Sequence, residues 1–244
     1  MRNQIVILAA GKGKRMGINM PKVLVMAKNK PLILYLLEEV EKISQLAKPV
    51  IVVGYKHKQV MDVLGEDYTY AIQKEQLGTA HALLAAKPKV KSENVLVLYG
   101  DMPLIKAESL KELLALHFKS GSNVSMLTSE VADFNGQYKS LESFGRIIRK
   151  PDHSIVGVVE YKDATDEQKQ IKEINPGIYV FKTKWLWENL KKIKNKNNQQ
   201  EYYLTDIIHI AVGSGQPVKW LRVDPIEVLG VNSPDDLKYV KKLV

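Results

Sequence analysis

The 244-residue chain contains no cysteine. Disulfides, thiolate metal sites and a cysteine nucleophile are therefore excluded, while the redox compartment stays open. Aromatic residues are sparse at 7%, and Trp185, Trp187 and Trp220 read as packing residues rather than a base-stacking platform. Long apolar runs are missing too: Pro31 to Leu37 is far short of the roughly 20 residues that span a bilayer. The amino-terminal apolar segment, Ile5 to Ala10, carries its positive charge mainly behind it, the reverse of a signal peptide, so the chain reads as cytoplasmic. Nor do His57, His81, His117, His153 and His209 show metal-ligand spacing, and His81 reads as packing. What is present is an ordinary globular composition, 45% apolar and 26% charged, with 36 Lys+Arg against 27 Asp+Glu and a net charge of +9. That charge suits nucleic acid, an anionic surface or a small polyphosphate, and cannot choose among them.

In the first half, short apolar runs alternate with helical patterns. Gln4–Ala9, Val50–Gly54, Thr69–Gln73 and Val95–Tyr99 read as strands, and Leu32–Leu46, Lys58–Leu64, Thr79–Ala86 and Ala107–Lys119 as helices. Strands that are apolar almost throughout, joined through helices, predict a parallel sheet covered on both faces, with ligands at the carboxyl ends of its strands. The second half is less regular. Strands are expected at Asn123–Ser129, Gly145–Arg149, Ile155–Glu160, Gly177–Phe181 and Val218–Val223, and helices at Lys184–Lys192 and Thr205–Ala211. A last helix opens at Ser233-Pro234-Asp235-Asp236, where an N-cap, a first-position proline and a capping-box acid fall in order. No repeat, linker or domain boundary is visible, so one domain over 1–244 is expected, with two halves that meet at about residue 120. The basic stretch Lys191–Asn198 reads as a solvated, mobile loop.

The stretch ILAAGKGKRMG, residues 7–17, sets a glycine-rich basic loop straight after the first strand. It fails the dinucleotide fingerprint, because Met16 stands where the third glycine belongs and the second strand ends in Tyr55-Lys56-His57 without an acid. It also fails the P-loop spacing. What remains is a flexible turn carrying Lys12, Lys14 and Arg15, with Pro21-Lys22 close behind, able to offer backbone N–H groups and cations to an extended phosphate. A basic surface turn is the bland alternative.

Taken in order, LAAGKGKRM, PKVL, QKEQLGTAHA, LYGDMPL, GRIIRK, VVEYKDATDEQKQIKEINPG, EYYLTDI and VLGVN resemble the sugar-1-phosphate nucleotidyltransferases. Within that family the likeness is to the uridylyltransferase domain of bacterial bifunctional N-acetylglucosamine-1-phosphate uridylyltransferase/glucosamine-1-phosphate acetyltransferases. The resemblance covers residues 5 to 232 and implies a Rossmann-like α/β fold with a mixed, mainly parallel central sheet. It implies Mg²⁺-dependent transfer of UMP from UTP to N-acetylglucosamine 1-phosphate, releasing pyrophosphate. By the same resemblance Leu8, Ala9, Ala10 and Gly11 lie along the nucleotide, with Tyr99 and Gly100 beside them, and Gln73, Gly78 and Thr79 bind the uridine. Arg15, Lys22 and Asp101 serve catalysis, Asp101 and Asn232 hold the metal, and Gly145, Glu160 and Asn175 take the amino sugar. Arg15 and Asp101 are expected to be exposed in a cleft.

The chain departs from the family at Asn175-Pro176, where a small or polar residue is more usual after the asparagine, and at Ile18-Asn19-Met20, expected to lie in a mobile hinge. It also stops at Val244 without the hexapeptide repeats of the bifunctional relatives. Uridylyl transfer alone is therefore expected, from a monomer or weak homo-oligomer rather than a β-helix trimer, with no nucleic-acid or membrane partner. The same transfer to glucose 1-phosphate or N-acetylmuramate 1-phosphate is the alternative, and a non-catalytic regulatory or nucleic-acid-binding relative is a further one.

Overall fold

The computed structural model describes residues 3–13, 16–44 and 46–244. Strand β1 (Asn3–Ala9) enters a loop that leads to a small hairpin, β2 (Met26–Ala27) and β3 (Lys30–Pro31), and then α1 (Leu32–Glu41). Next come β4 (Leu46–Val53), α2 (His57–Leu64), β5 (Thr69–Ile72), α3 (Thr79–Ala86), β6 (Asn94–Tyr99) and α4 (Ala107–Ser120). The four sheet strands of this half are parallel in the order β5-β4-β1-β6.

Strand β1 is apolar without alternation because both of its faces are buried. Ile5, Ile7 and Ala9 pack with Leu36 and Leu37 of α1 and Leu110 and Leu113 of α4. Val6, Leu8 and Ala10 pack with Ala80 and Leu83 of α3 on the opposite face. Each large side chain so buried contributes about 1.5–3 kcal/mol, so a polar residue at either set of positions would be costly. Helices on both faces force the strands' carboxyl ends to be the open edge.

The second half adds β7 (Val124–Glu130), β8 (Gly145–Arg149), β9 (Ile155–Val159), the short helix α5 (Asp166–Lys169), β10 (Glu173–Asn175), β11 (Tyr179–Lys182), α6 (Thr183–Leu190), α7 (Asp206–Gly213), β12 (Val218–Val223) and α8 (Pro234–Leu243). These strands extend the sheet to ten. Strands β9, β10 and β11 run against the other seven, so the sheet is mixed and mainly parallel, as expected.

Strands β10 and β11 form one line along β7, broken in the middle. From Ile174 to Tyr179 the chain advances five residues while β7 moves three, from Ser129 to Met126, so two residues are extruded. Pro176 has no N–H to continue the ladder. Gly177 turns at φ +81°, where an added Cβ would come within 2.5 Å of the Tyr99 ring, so only glycine fits. Beyond the break, β10 pairs with β8 while β11 pairs with β6. The sheet therefore forks at Asn175, beside the end of β6.

Some boundaries differ from the sequence expectation. Helix α1 stops at Glu41, five residues early, because the chain must turn in time for Leu46 to pair with Asn3. Ile43 stays buried and prolongs the helical period past the helix itself. Strand β4 begins at Leu46 rather than Val50, with Pro49 accommodated at a register shift. The hairpin, α5, β10 and a 3-10 segment over Gly136–Ser143 are additions. The capping box at Ser233 and Asp236 forms as read. The basic stretch is tied down rather than loose: Asn198 donates from its backbone N–H to Asp163 at 2.9 Å and from Nδ2 to the Lys162 carbonyl at 2.8 Å. Among the described residues no helix is long and apolar enough to cross a membrane.

Candidate active site

Parallel registers bring the nucleotide positions together. Leu8 lies opposite Tyr99, Ala9 opposite Val53, and Val53 opposite Ile72. The ends of β1, β6 and β5 thus converge, and a cavity of about 200 Å³ opens there, lined by Leu8, Ala9, Ala10, Gly11, Gln73, Gly78, Thr79 and Tyr99. Lys22 and Asp101 complete its wall. Gly100 is not on this lining. It lies under the cavity, where an added Cβ would press on Val23 at 3.0 Å.

Gln73 is 4% exposed and its amide is fixed. Nε2 donates to the Gly78 carbonyl at 3.2 Å and lies 3.1 Å from His81 Nδ1, which leaves Oε1 as the group's remaining acceptor. His81, read from sequence as packing, is thus the neighbour that orients Gln73. Gly78 begins α3 at φ +110°, and an added Cβ would sit 2.6 Å from the Tyr202 carbonyl oxygen. That contact reflects a clamp. Tyr202 donates to Leu77 O at 2.8 Å, Ala80 donates to Tyr202 O at 2.9 Å, and the Leu204 N–H donates to Thr79 Oγ1 at 2.9 Å. The clamp carries Glu201 into the nucleotide cavity and Thr205 to the sugar positions.

At the phosphate end, Lys22 Nζ pairs with Asp101 Oδ2 and donates to Asn232 Oδ1 at 2.9 Å. Asp101 is buried, 8% exposed, which corrects the expectation of an exposed carboxylate. It lies two residues past Tyr99 at the sheet edge, and Gly230 stands beside it, where a Cβ would lie 3.7 Å from Asp101 Oδ2. Asn232 lines a second and larger cavity of about 650 Å³ between Gly136–Ser143 and α8. The Lys22 bridge therefore stands between two cavities. Two hard oxygens converging on one cationic point suit Mg²⁺, which takes few protein ligands and completes its shell with phosphate oxygens and water. No cluster of three or more His, Asp or Glu able to cage a metal occurs among the described residues. Arg15 lies outside the described residues.

The sugar positions meet on the other side of the fork. Gly145 pairs in register with Asn175, and a Cβ on Gly145 would be 3.6 Å from Glu160 Oε2. Glu160 is half-buried and accepts from Thr205 Oγ1 at 2.9 Å. Burial holds its carboxyl above the usual range, helped by the charges of Asp206, Asp163 and Glu201 and opposed by the Thr205 bond. Tyr203, next to it in the clamp, is pushed up to about 12 by burial. Asn175 is locked: Oδ1 accepts from the Gly177 N–H at 3.0 Å and Nδ2 donates to Tyr179 Oη at 2.7 Å.

Sequence reasoning missed Gln76, which also lines the cavity, as well as Glu201, Thr205 and the clamp itself, although EYYLTDI contains Glu201 and Thr205. The Ile18-Asn19-Met20 segment, expected to be mobile, is anchored, with Tyr55 Oη donating to Asn19 Oδ1 at 2.9 Å and Lys56 Nζ to the Asn19 carbonyl at 2.6 Å. Trp185 stacks on Phe181 and Trp220 lies under Arg149 at 4.0 Å, so both pack as expected.

Comparison with known proteins gives the family and the fold. Residues 5–220 match the MobA-like NTP transferase domain. The chain is 43% identical to the bifunctional protein GlmU of Caldicellulosiruptor saccharolyticus over 240 residues, 97% of this chain and 50% of that protein. It is 40% identical to GlmU of Desulfotalea psychrophila over 237 residues, 96% of this chain and 68% of that protein. The chain thus spans about half the length of the first of these relatives. Among solved structures, a UDP-glucose pyrophosphorylase complexed with UDP-glucose shares the fold with a TM-score of 0.78 at 21% identity, covering 99% of this chain and 100% of that one. The resemblance read from the ordered motifs is borne out, and the chain belongs to the MobA-like NTP transferase domain family.

Proposed function

We propose that this chain transfers UMP from UTP to N-acetylglucosamine 1-phosphate, with Mg²⁺, giving UDP-N-acetylglucosamine and pyrophosphate. The observation that carries the reading is one cavity at the sheet edge that joins a fixed acceptor amide, a glycine-lined wall and the Lys22–Asp101 pair, with Asn232 bonded to Lys22 from the neighbouring cavity. Relatives named GlmU, near 40% identity over almost the whole chain, support it.

In this reaction an oxygen of the sugar phosphate attacks the α-phosphorus of UTP. The new P–O bond forms as the α-phosphorus releases the oxygen bridging to the β-phosphate, and pyrophosphate leaves with that electron pair. No covalent intermediate on the protein is needed. Charge builds on the non-bridging oxygens and on the leaving group, so Lys22, with Arg15 by resemblance, acts by stabilising that charge more than the ground state. Mg²⁺ held by Asp101 and Asn232 would supply further neutralising charge at the phosphate oxygens. Leu8 to Gly11 offer backbone to the nucleotide, and Gln73 Oε1 accepts from the base. Glu160 accepts from sugar hydroxyls, with Gly145 beside it.

The second reading keeps the chemistry and changes the sugar to glucose 1-phosphate or N-acetylmuramate 1-phosphate. One observation favours it: both polar ends of Asn175 already have protein partners, so only one N–H and one oxygen lone pair are left for an acetamido group. Pyrophosphate release across a panel of sugar 1-phosphates, with UTP, CTP and dTTP, decides between them. N-acetylglucosamine 1-phosphate with UTP should give the highest kcat/KM, and a preference for a sugar without the acetamido group would overturn the assignment. The chain is proposed to work as one catalytic domain in the cytoplasm, as a monomer or weak homo-oligomer, without nucleic-acid or membrane partners.

A further inference from the structure

Lys22 fills the point on which the two proposed metal ligands converge. Its ammonium pairs with Asp101 Oδ2 and donates to Asn232 Oδ1 at 2.9 Å. Both carboxylate and ammonium are largely buried, with side-chain exposures of 12% and 17%. An ammonium and a divalent ion on the same Asp101 Oδ2 and Asn232 Oδ1 would repel each other strongly where water is scarce. Lys22 in this position therefore weakens metal binding at Asp101 and Asn232, and its departure would relieve that repulsion.

The surroundings give Lys22 a place to go. Lys22 also lines the nucleotide cavity, next to Gly11 and Val23. Behind it the backbone is tightly set: an added Cβ on Gly13, at φ +64°, would lie 2.9 Å from Lys22 Cβ. The stem is thus held while the flexible four-carbon chain can swing its head. A triphosphate in the cavity would offer that head new anionic partners, replacing the lost ones.

We propose that Lys22 is an internal stand-in for the metal, occupying the Asp101–Asn232 site in the free protein and yielding it only when a nucleoside triphosphate takes up its ammonium. Metal uptake is then coupled to nucleotide binding, and by linkage each tightens the other. This rests on the reading of Asp101 and Asn232 as the metal ligands. The ion pair also keeps a buried carboxylate satisfied between turnovers.

The test uses Mn²⁺ as probe, with free Mn²⁺ followed by its EPR signal during titration of the nucleotide-free protein. The Lys22→Met protein should bind Mn²⁺ at least tenfold more tightly than the wild type, and Asp101→Asn in the Lys22→Met background should remove that binding. Lys22→Gln, closer to the native polarity, should show the same direction and serves if the methionine variant does not fold. Wild-type and Lys22-variant proteins binding Mn²⁺ equally, or tight binding that survives Asp101→Asn, would overturn the stand-in role. Failure of the nucleotidyl-transfer reading would appear separately, as no pyrophosphate release by the wild type with any sugar phosphate in the panel.

Discussion

His81 Nδ1 lies 3.1 Å from Gln73 Nε2, whose other contact is the Gly78 carbonyl at 3.2 Å. With both hydrogens of the amide spent, Gln73 can meet a base only as an acceptor, through Oε1. Uracil offers an N–H at its third position, whereas cytosine presents a lone pair there. In the proposed uridine-binding role of Gln73, the His81 contact would favour uracil by fixing which end of the amide faces the cavity.

From this arrangement, His81→Phe should let the Gln73 amide rotate and should lower the ratio of kcat/KM for UTP over CTP by about tenfold, near the low end for losing one oriented hydrogen bond. Steady-state kinetics with both nucleotides measure it. A ratio unchanged within twofold would show that Gln73 is held by Gly78 alone.

Gly78→Ala should be severe for a backbone reason. At φ +110° a side chain is strained, and the new Cβ would meet the nitrogen and oxygen of Tyr202 at 2.7 and 2.6 Å. A loss of roughly 2–4 kcal/mol of stability is expected. Because the clamp delivers Glu201 and Thr205, KM for both substrates should rise. Urea unfolding and KM measurements check the two halves of this expectation, and a variant as stable as the wild type would mean the clamp can shift freely.

The strand ends around the first cavity were legible in sequence because their signals are local. Leu8 to Gly11, Gln73 and Tyr99 sit at the ends of strands whose apolar runs mark them, and a parallel sheet brings strand ends to one edge. The binding roles expected of these residues, like those of Gly145, Glu160 and Asn175, came through resemblance. Asn175 is delivered by a two-residue extrusion between β10 and β11 that no periodicity announces, although Pro176-Gly177 marks a break. His81 and Asp101 were misjudged for one reason: burial and partner choice are tertiary properties. A helix residue gives no sign that it faces a glutamine eight positions back, and a carboxylate after a strand gives no sign of the lysine that covers it.

Arg146 shows how far a structural role can hide inside a motif read for function. It is fully buried, donates from Nη2 to the Glu142 carbonyl at 2.9 Å and from Nε to the Lys169 carbonyl at 3.3 Å, and lies 4.5 Å from the Phe134 ring. It staples Gly136–Ser143 and α5 to β8. Arg146→Met keeps the volume but strands those carbonyls, each costing about 1–3 kcal/mol, for a total loss of roughly 3–5 kcal/mol. Arg146→Lys should not rescue it, because an ammonium cannot reproduce the planar fork. Urea midpoints of the three proteins measure this, and a lysine variant as stable as the wild type would refute the fork argument.

His117, far from the cavity, should set part of the acid limit of the fold. It is 1% exposed, its Nδ1 lies 2.9 Å from Ser125 Oγ, and its Nε2 is buried with no partner. Burial lowers its pKa to about 4, with the Lys182 charge adding to the shift. The unfolded chain therefore binds this proton near pH 6.5 while the folded chain resists it until about pH 4. The histidine's share of stability is full above pH 6.5 and is lost as pH falls through about 4, a total of roughly 3 kcal/mol at most. Carboxylates titrate in the same range, so the measurable quantity is the difference between wild type and His117→Asn, which keeps a partner for Ser125 without the titrating ring. Melting temperatures of the two proteins should converge as pH drops from 7 to 4, and parallel curves would mean that His117 accepts its proton in the folded state as readily as in the unfolded one.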